Sequence, residues 1–153
     1  MKIQWKALIL CLALPLAVGS LSALLTQNSR EAFEALNKPA LAPPGWLFPV
    51  VWTILYLLMG IASYLVLTSE KPNDTALNLY GVQLVFNFFW SIIFFDFELY
   101  LLAFFWLAAL WLLIAKTTML FYQISKTAGY LMLPYLIWVT FAGYLNLAIY
   151  FLN

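Results

Sequence analysis

Five long apolar runs constrain this chain more than any other feature. They cover roughly residues 3–25, 47–67, 77–95, 100–120 and 128–152. A membrane-spanning helix needs about 20 largely apolar residues, and each run supplies them. The expected fold is therefore all-α: an integral membrane bundle of five transmembrane helices, one domain over residues 1–153. Composition agrees, because the chain is 66% hydrophobic and 8% charged. Globular domains are about 45–50% apolar and about 25% charged. A chain of 153 residues has no soluble core large enough to hide that much apolar surface.

The first run has a second reading. Its basic start, apolar stretch and small residues resemble a secretory signal. The run continues through Leu24 and Leu25, however, and is long enough to span, so a retained helix is expected. The connections are a long lid loop (26–46), a polar loop (68–76), a short turn (Phe95–Glu98) and a link around 123–127. Five spans place the termini on opposite sides. The N-terminal side holds Lys2, Lys6, Lys71 and Lys126, with Lys116 nearby. The lid side holds Arg30 and Lys38 among Glu31, Glu34, Asp96 and Glu98. The positive-inside rule gives a cytoplasmic N-terminus and an outside C-terminus, with a bacterial cell membrane as the default setting.

Several function classes are excluded. A net charge of +1 leaves no basic face for nucleic acid. With no histidine and one cysteine (Cys11), imidazole chemistry, Cys–His metal sites and intramolecular disulfides are ruled out, and no metal is expected. Ion-coupled transport usually needs an acid or base within a span. Here Asp96 and Glu98 sit in a turn, and Lys116 is placed to snorkel. No carboxylate pair, nucleophile–base set or phosphate-binding loop is visible.

The remaining chemistry is aromatic and amide. Gln83, Asn87 and Ser91 recur every four residues on one face of the third helix, with Trp90 and Phe94 on or beside it. Polar groups in lipid must find partners inside the protein, so this face points into the bundle. It reads equally as interhelical hydrogen bonding or as a pocket wall with polar anchors. The second helix carries Trp52 and Tyr56, and the fifth carries Trp138 with Ala142 one turn on. A buried mid-span indole N–H, as on Trp138, needs a partner inside. One such tryptophan usually means packing. Trp52, Trp90 and Trp138 on three helices point to a flat apolar cavity for a planar ligand. The second helix is preceded by "NKPALAPPGWLFPVVW" (Asn37–Trp52), whose prolines make a stiff connection. Pro44 to Pro49 are expected at the helix start, where missing N–H groups cost nothing.

Three stretches together resemble the TspO family of tryptophan-rich sensory or translocator proteins. "LNKPALAPPGWLFPVVWTILY" (Leu36–Tyr56) resembles its signature L-x-K-P-x-W-x-P-P-x-x-x-F-x-x-V-W-x-x-L-Y. "QLVFNFFWSIIFF" (Gln83–Phe95) resembles L-x-x-N-x-x-W-S-x-x-F-F, and "LPYLIWVTFAGYLNLAIYFLN" (Leu133–Asn153) resembles L-x-P-Y-x-x-W-x-x-F-A-x-x-L-N. The resemblance implies a compact five-helix bundle, commonly a homodimer. It implies a receptor-like pocket near the long loop for protoporphyrin IX or related tetrapyrroles and for lipophilic drug-like molecules, with no cofactor required.

By motif, Trp52 and Trp138 match the tryptophans associated with porphyrin binding and breakdown. Tyr56, Asn87, Trp90 and Ala142 match pocket-lining positions, and Pro43, Pro44 and Phe48 match the loop and mouth. Ala32-Phe33 stands where the family often has Trp-Tyr, and Leu41 where it usually has an aromatic. Phe33 and Phe94 complete the expected ligand-contact set. Specific cholesterol binding is not expected, because no basic residue follows Lys126. Tetrapyrrole sensing or handling is the leading expectation. A light-dependent porphyrin-degrading enzyme, with Trp52 and Trp138 as candidate redox partners, and a transporter of porphyrin or other lipophiles are the alternatives.

Overall fold

The structure, a computed structural model, describes residues 2–153; residue 1 of the expected domain lies outside them. Helix α1 runs Trp5–Thr26 and passes through a 3₁₀ turn (Gln27–Ser29) into the short α2 (Arg30–Glu34). Then come α3 (Leu47–Leu67), α4 (Asp74–Ser91), α5 (Tyr100–Ile124) and α6 (Lys126–Leu152). A π-helical turn, Ile92–Asp96, extends α4. Five of these helical stretches are long and apolar enough to cross a membrane. The long helix α5 continues to Ile124, so the connection to α6 shrinks to Ser125.

Local chemistry fixes the element ends. Prolines 39, 43 and 44 keep the lid chain out of a helix. The chain turns where the Leu47 N–H donates to the Pro44 carbonyl at 3.0 Å. Pro44 thus lies before α3, and only Pro49 sits in its first turn. At the far end of α3, Asn73 Nδ2 donates to the Val66 carbonyl at 2.8 Å, satisfying a group that a helix end leaves open. Ser125 caps α6 by accepting the Ala128 N–H at 3.3 Å. The tight α5–α6 corner requires glycine at 129, where a β-carbon would press on Tyr122.

The long helices form a closed ring. Helix α1 packs along α3, α3 along α6, α6 along α5 and α5 along α4, and α4 returns lightly to α1. Large apolar side chains such as Ile9, Leu14, Ile54, Val85, Phe105 and Ile137 point outward, while Gln83, Asn87, Thr117 and Asn146 are buried. That inside-out pattern suits a lipid surround. The half of the bundle away from the lid is filled: Met59, Val66, Ile114, Phe121 and Met132 are fully buried, and Tyr80 stacks on Phe121 at 5.6 Å. The half beneath the lid is hollow.

Candidate ligand-binding cavity

The hollow is a cavity of about 540 Å³ beneath the lid, within the range of small-molecule sites. Helix α3 supplies Phe48, Trp52 and Tyr56, one per turn of the same face. Helix α4 and its π turn supply Trp90, Ser91, Phe94 and Phe95, and α6 supplies Trp138, Ala142, Leu145 and Asn146. Helix α1 forms a wall of mostly small residues, including Gly19, Ser22, Ala23 and Thr26. Arg30, Phe33 and Glu34 of α2 stand at the lid end.

The aromatic walls are joined ring to ring. Trp90 stacks on Phe94 at 5.3 Å and 29°. Trp52 leans on Tyr56 at 5.6 Å and meets the edge of Tyr135 at 6.2 Å. Phe48 bridges to Trp138 at 6.0 Å. Phe33 closes the roof, 5.3 Å from Phe95, 6.1 Å from Phe94 and 6.3 Å from Phe48. The lid therefore brings two aromatics to the cavity, Phe33 in the roof and the largely exposed Trp46 at its rim. Leu41, in the middle of the lid, is 71% exposed and lies outside the cavity.

Beneath the cavity runs a hydrogen-bonded chain across three helices. Tyr56 Oη donates to Asn87 Oδ1 at 3.1 Å, and Asn87 Nδ2 donates to Tyr135 Oη at 2.8 Å. Tyr135 Oη in turn donates to Gln83 Oε1 at 2.6 Å. Higher up, Trp90 Nε1 donates to Asn146 Oδ1 at 3.1 Å, and Asn146 Nδ2 donates to the Tyr100 carbonyl at 2.8 Å. The third-helix polar stripe is thus divided. Gln83 and Asn87 bond between helices, and Ser91 lines the cavity. Trp138 departs from expectation, for its buried Nε1 has no partner among the described residues; Gln83 Nε2 is likewise unpaired among them.

Of the residues singled out from sequence, Phe33, Phe48, Trp52, Tyr56, Trp90, Phe94, Trp138 and Ala142 line one cavity. Pro43 and Pro44 lie in the lid chain outside the lining, and Asn87 lies one layer below it, behind Tyr56. Lys38 is also turned away. Its Nζ donates to the Glu34 carbonyl at 2.9 Å and sits 5.0 Å from the Phe33 ring centre. Arg30 is the basic side chain on the lining. Sequence reasoning missed Tyr135 and the α1 wall. The three- and four-residue spacing of Gly19, Ser22, Ala23 and Thr26 was the available signal for that wall.

The sequence profile of the TspO/MBR family matches residues 11–152. The chain is 41% identical to the tryptophan-rich protein TspO of Chlorobaculum tepidum, over 98% of each chain. It is 38% identical to the tryptophan-rich sensory protein of Cereibacter sphaeroides, over 95% of this chain and 90% of that one. It is 37% identical to the human translocator protein, over 77% of this chain and 72% of that one. Together with the five spanning helices, these matches place the chain in the TspO/MBR family of integral membrane proteins.

Proposed function

We propose that this protein binds a tetrapyrrole of the protoporphyrin IX type, or a comparable flat lipophile, in the cavity under the lid, and so senses or handles it. The observation that carries the reading is the convergence of Trp52, Trp90 and Trp138 from three helices on one cavity of about 540 Å³. Indole faces offer a planar macrocycle both apolar contact and stacking. Arg30 at the mouth offers a partner for the macrocycle's carboxylates, while Lys38 is engaged within the lid. The names of two relatives, a tryptophan-rich sensory protein and a translocator protein, suit a ligand-handling role.

Titration of protoporphyrin IX into the purified protein, followed by tryptophan quenching, tests this. Saturable quenching is expected. Trp52→Ala and Trp138→Ala are each expected to weaken binding by about 1 kcal/mol or more, roughly fivefold. Linear, unsaturable quenching, or unchanged affinity in both variants, would remove the reading.

A further inference from the structure

Besides the lid, the seam between α1 and α3 also bounds the cavity. Its lower part is shut. Cys11 and Leu12 of α1 lie against Gly60 of α3, and a β-carbon on Gly19 would run into the Tyr56 ring. Tyr56 is the cavity residue of α3 farthest from the lid, and it forms the floor on this side. Above it the seam changes character. Pro49 and Thr53 share a face of α3 with Tyr56 and Gly60, by steps of three and four. Opposite them α1 offers Ser20 and Ala23. All four residues line the cavity, and all four are exposed at the outer surface as well. Residues with both properties stand at an opening. Its outward neighbours are exposed and apolar: Leu21 and Leu24 on α1, Val50 and Ile54 on α3. At the top the lid reaches across, for a β-carbon on Gly45 would stand 3.1 Å from Glu34 Oε1. The lid itself is tied on both flanks, by Ser29 to Asp96 and by Asn37 to Asn153.

We infer that this opening is a lateral portal: the ligand enters and leaves from the bilayer leaflet on the lid side, through the α1–α3 seam, with the lid in place. The apolar neighbours of the opening belong to the lipid-facing surface, so the path leads into hydrocarbon and not into water. The margin is built of small side chains, which leave the gap that larger ones would fill. Thr53 keeps its own hydroxyl satisfied, donating to the Pro49 carbonyl at 2.7 Å, so it makes no polar demand on what passes. The seam runs about 14 Å along α3 from Tyr56 to Leu47. A gap elongated along the helices suits a flat molecule moving edge-on. What passes through rests on the tetrapyrrole reading; the portal itself rests on the seam.

Two measurements in lipid nanodiscs test the portal, both in a Cys11→Ser background. The first needs no ligand. A nitroxide is attached to Thr53→Cys in the folded protein. It is expected to collide several-fold more often with oxygen, which concentrates in hydrocarbon, than with a water-soluble nickel chelate. The reverse ratio overturns the portal, because the opening then leads to water. The second follows protoporphyrin IX by stopped-flow tryptophan quenching in Ala23→Cys, before and after reaction with N-phenylmaleimide. The label is added after folding, so the unlabelled sample is the folding control. A plug in the route slows entry and exit alike. Both rate constants are expected to fall about tenfold, with Kd changed by less than about twofold. Asn153→Ala, which loosens the lid, is expected to keep the unlabelled rates. Unchanged rates after labelling, or faster entry in Asn153→Ala, overturn the portal in favour of the lid. A weakened Kd with unchanged entry also overturns it, since Ala23 then serves only as cavity wall. Absence of saturable binding in the unlabelled protein removes the tetrapyrrole reading, and the nitroxide ratio then decides the portal by itself.

Discussion

Two glycines on α3 and α4 show what single positions decide here. A β-carbon on Gly60 would stand 2.8 Å from the Cys11 carbonyl oxygen and 3.0 Å from Leu12 Cα. Those are backbone atoms of α1, so relief requires moving the whole helix. Gly60→Ala is expected to destabilise by about 1–3 kcal/mol, as overpacking does. Among the described residues, nothing lies within 4 Å of where a β-carbon on Gly81 would stand. Gly81→Ala is therefore expected to be neutral or to stabilise by up to ~1 kcal/mol through helix propensity. Thermal melts of both variants in detergent, followed by circular dichroism, check the pair. Equal melting temperatures would show that α1 does not bear on Gly60. At Gly19 the obstacle is instead the Tyr56 ring, so glycine there leaves room for the floor itself. At this scale the sequence was legible where chemistry is conspicuous: a tryptophan at mid-span needs a reason. It was opaque where the partner is distant. The Asn87–Tyr135 bond joins residues 48 apart, and Tyr135 was not singled out beside Trp138. The small residues of α1 share one helical face by their spacing, but that face takes on meaning only with an aromatic wall opposite it.

At the scale of elements, the lid is the part whose order is most local and most testable. Lys38 folds back over Phe33 and donates to the Glu34 and Leu36 carbonyls, tidying the end of α2. Ser29 Oγ donates to Asp96 Oδ1 at 2.6 Å on one flank. On the other, Asn37 N–H donates to Asn153 Oδ1 at 3.1 Å, and Asn153 Nδ2 donates to the Asn37 carbonyl at 2.9 Å. This reciprocal pair ties the lid to the end of α6. Asn153→Ala removes both bonds without touching the cavity lining. It is expected to raise amide exchange across residues 35–46 several-fold, in keeping with a local opening eased by about 1–2 kcal/mol. Unchanged exchange there would mean that the roof contacts of Phe33 suffice. The prolines of this segment were readable as stiffness, although Pro44 falls before the helix. The π turn at Ile92–Asp96 was not readable at all. Its widened bond, Phe97 N–H to the Ile92 carbonyl at 3.1 Å, depends on packing that brings Phe94 and Phe95 together against Phe33.

For the whole molecule, five spans followed directly from apolar length, whereas the order of helices around the ring did not. Length and hydropathy say how many helices cross, and the packing of α1 between α3 and α4 depends on contacts such as Cys11 against Gly60. The folded ring gathers its polar connections on two opposite faces. The Ser29–Asp96 and Asn37–Asn153 bonds put the lid, the α4–α5 turn and the end of α6 on one face. The bonds from Gln4 N–H to Tyr64 Oη and from Lys71 Nζ to the Gln123 carbonyl gather the opposite face. The lid face carries Arg30 and Lys38, while the opposite end carries Lys2, Lys6, Lys71 and Lys126, with Lys116 set back along α5. Lysine and arginine counts, not net charge, govern insertion, so the lysine-rich end is expected in the cytoplasm and the lid outside. In a Cys11→Ser background, a membrane-impermeant maleimide applied to intact cells is expected to label Glu98→Cys and to spare Lys126→Cys until the cells are lysed. The reverse pattern would place the lid in the cytoplasm, and the cavity would then be loaded from the side on which the lysines now stand opposite it.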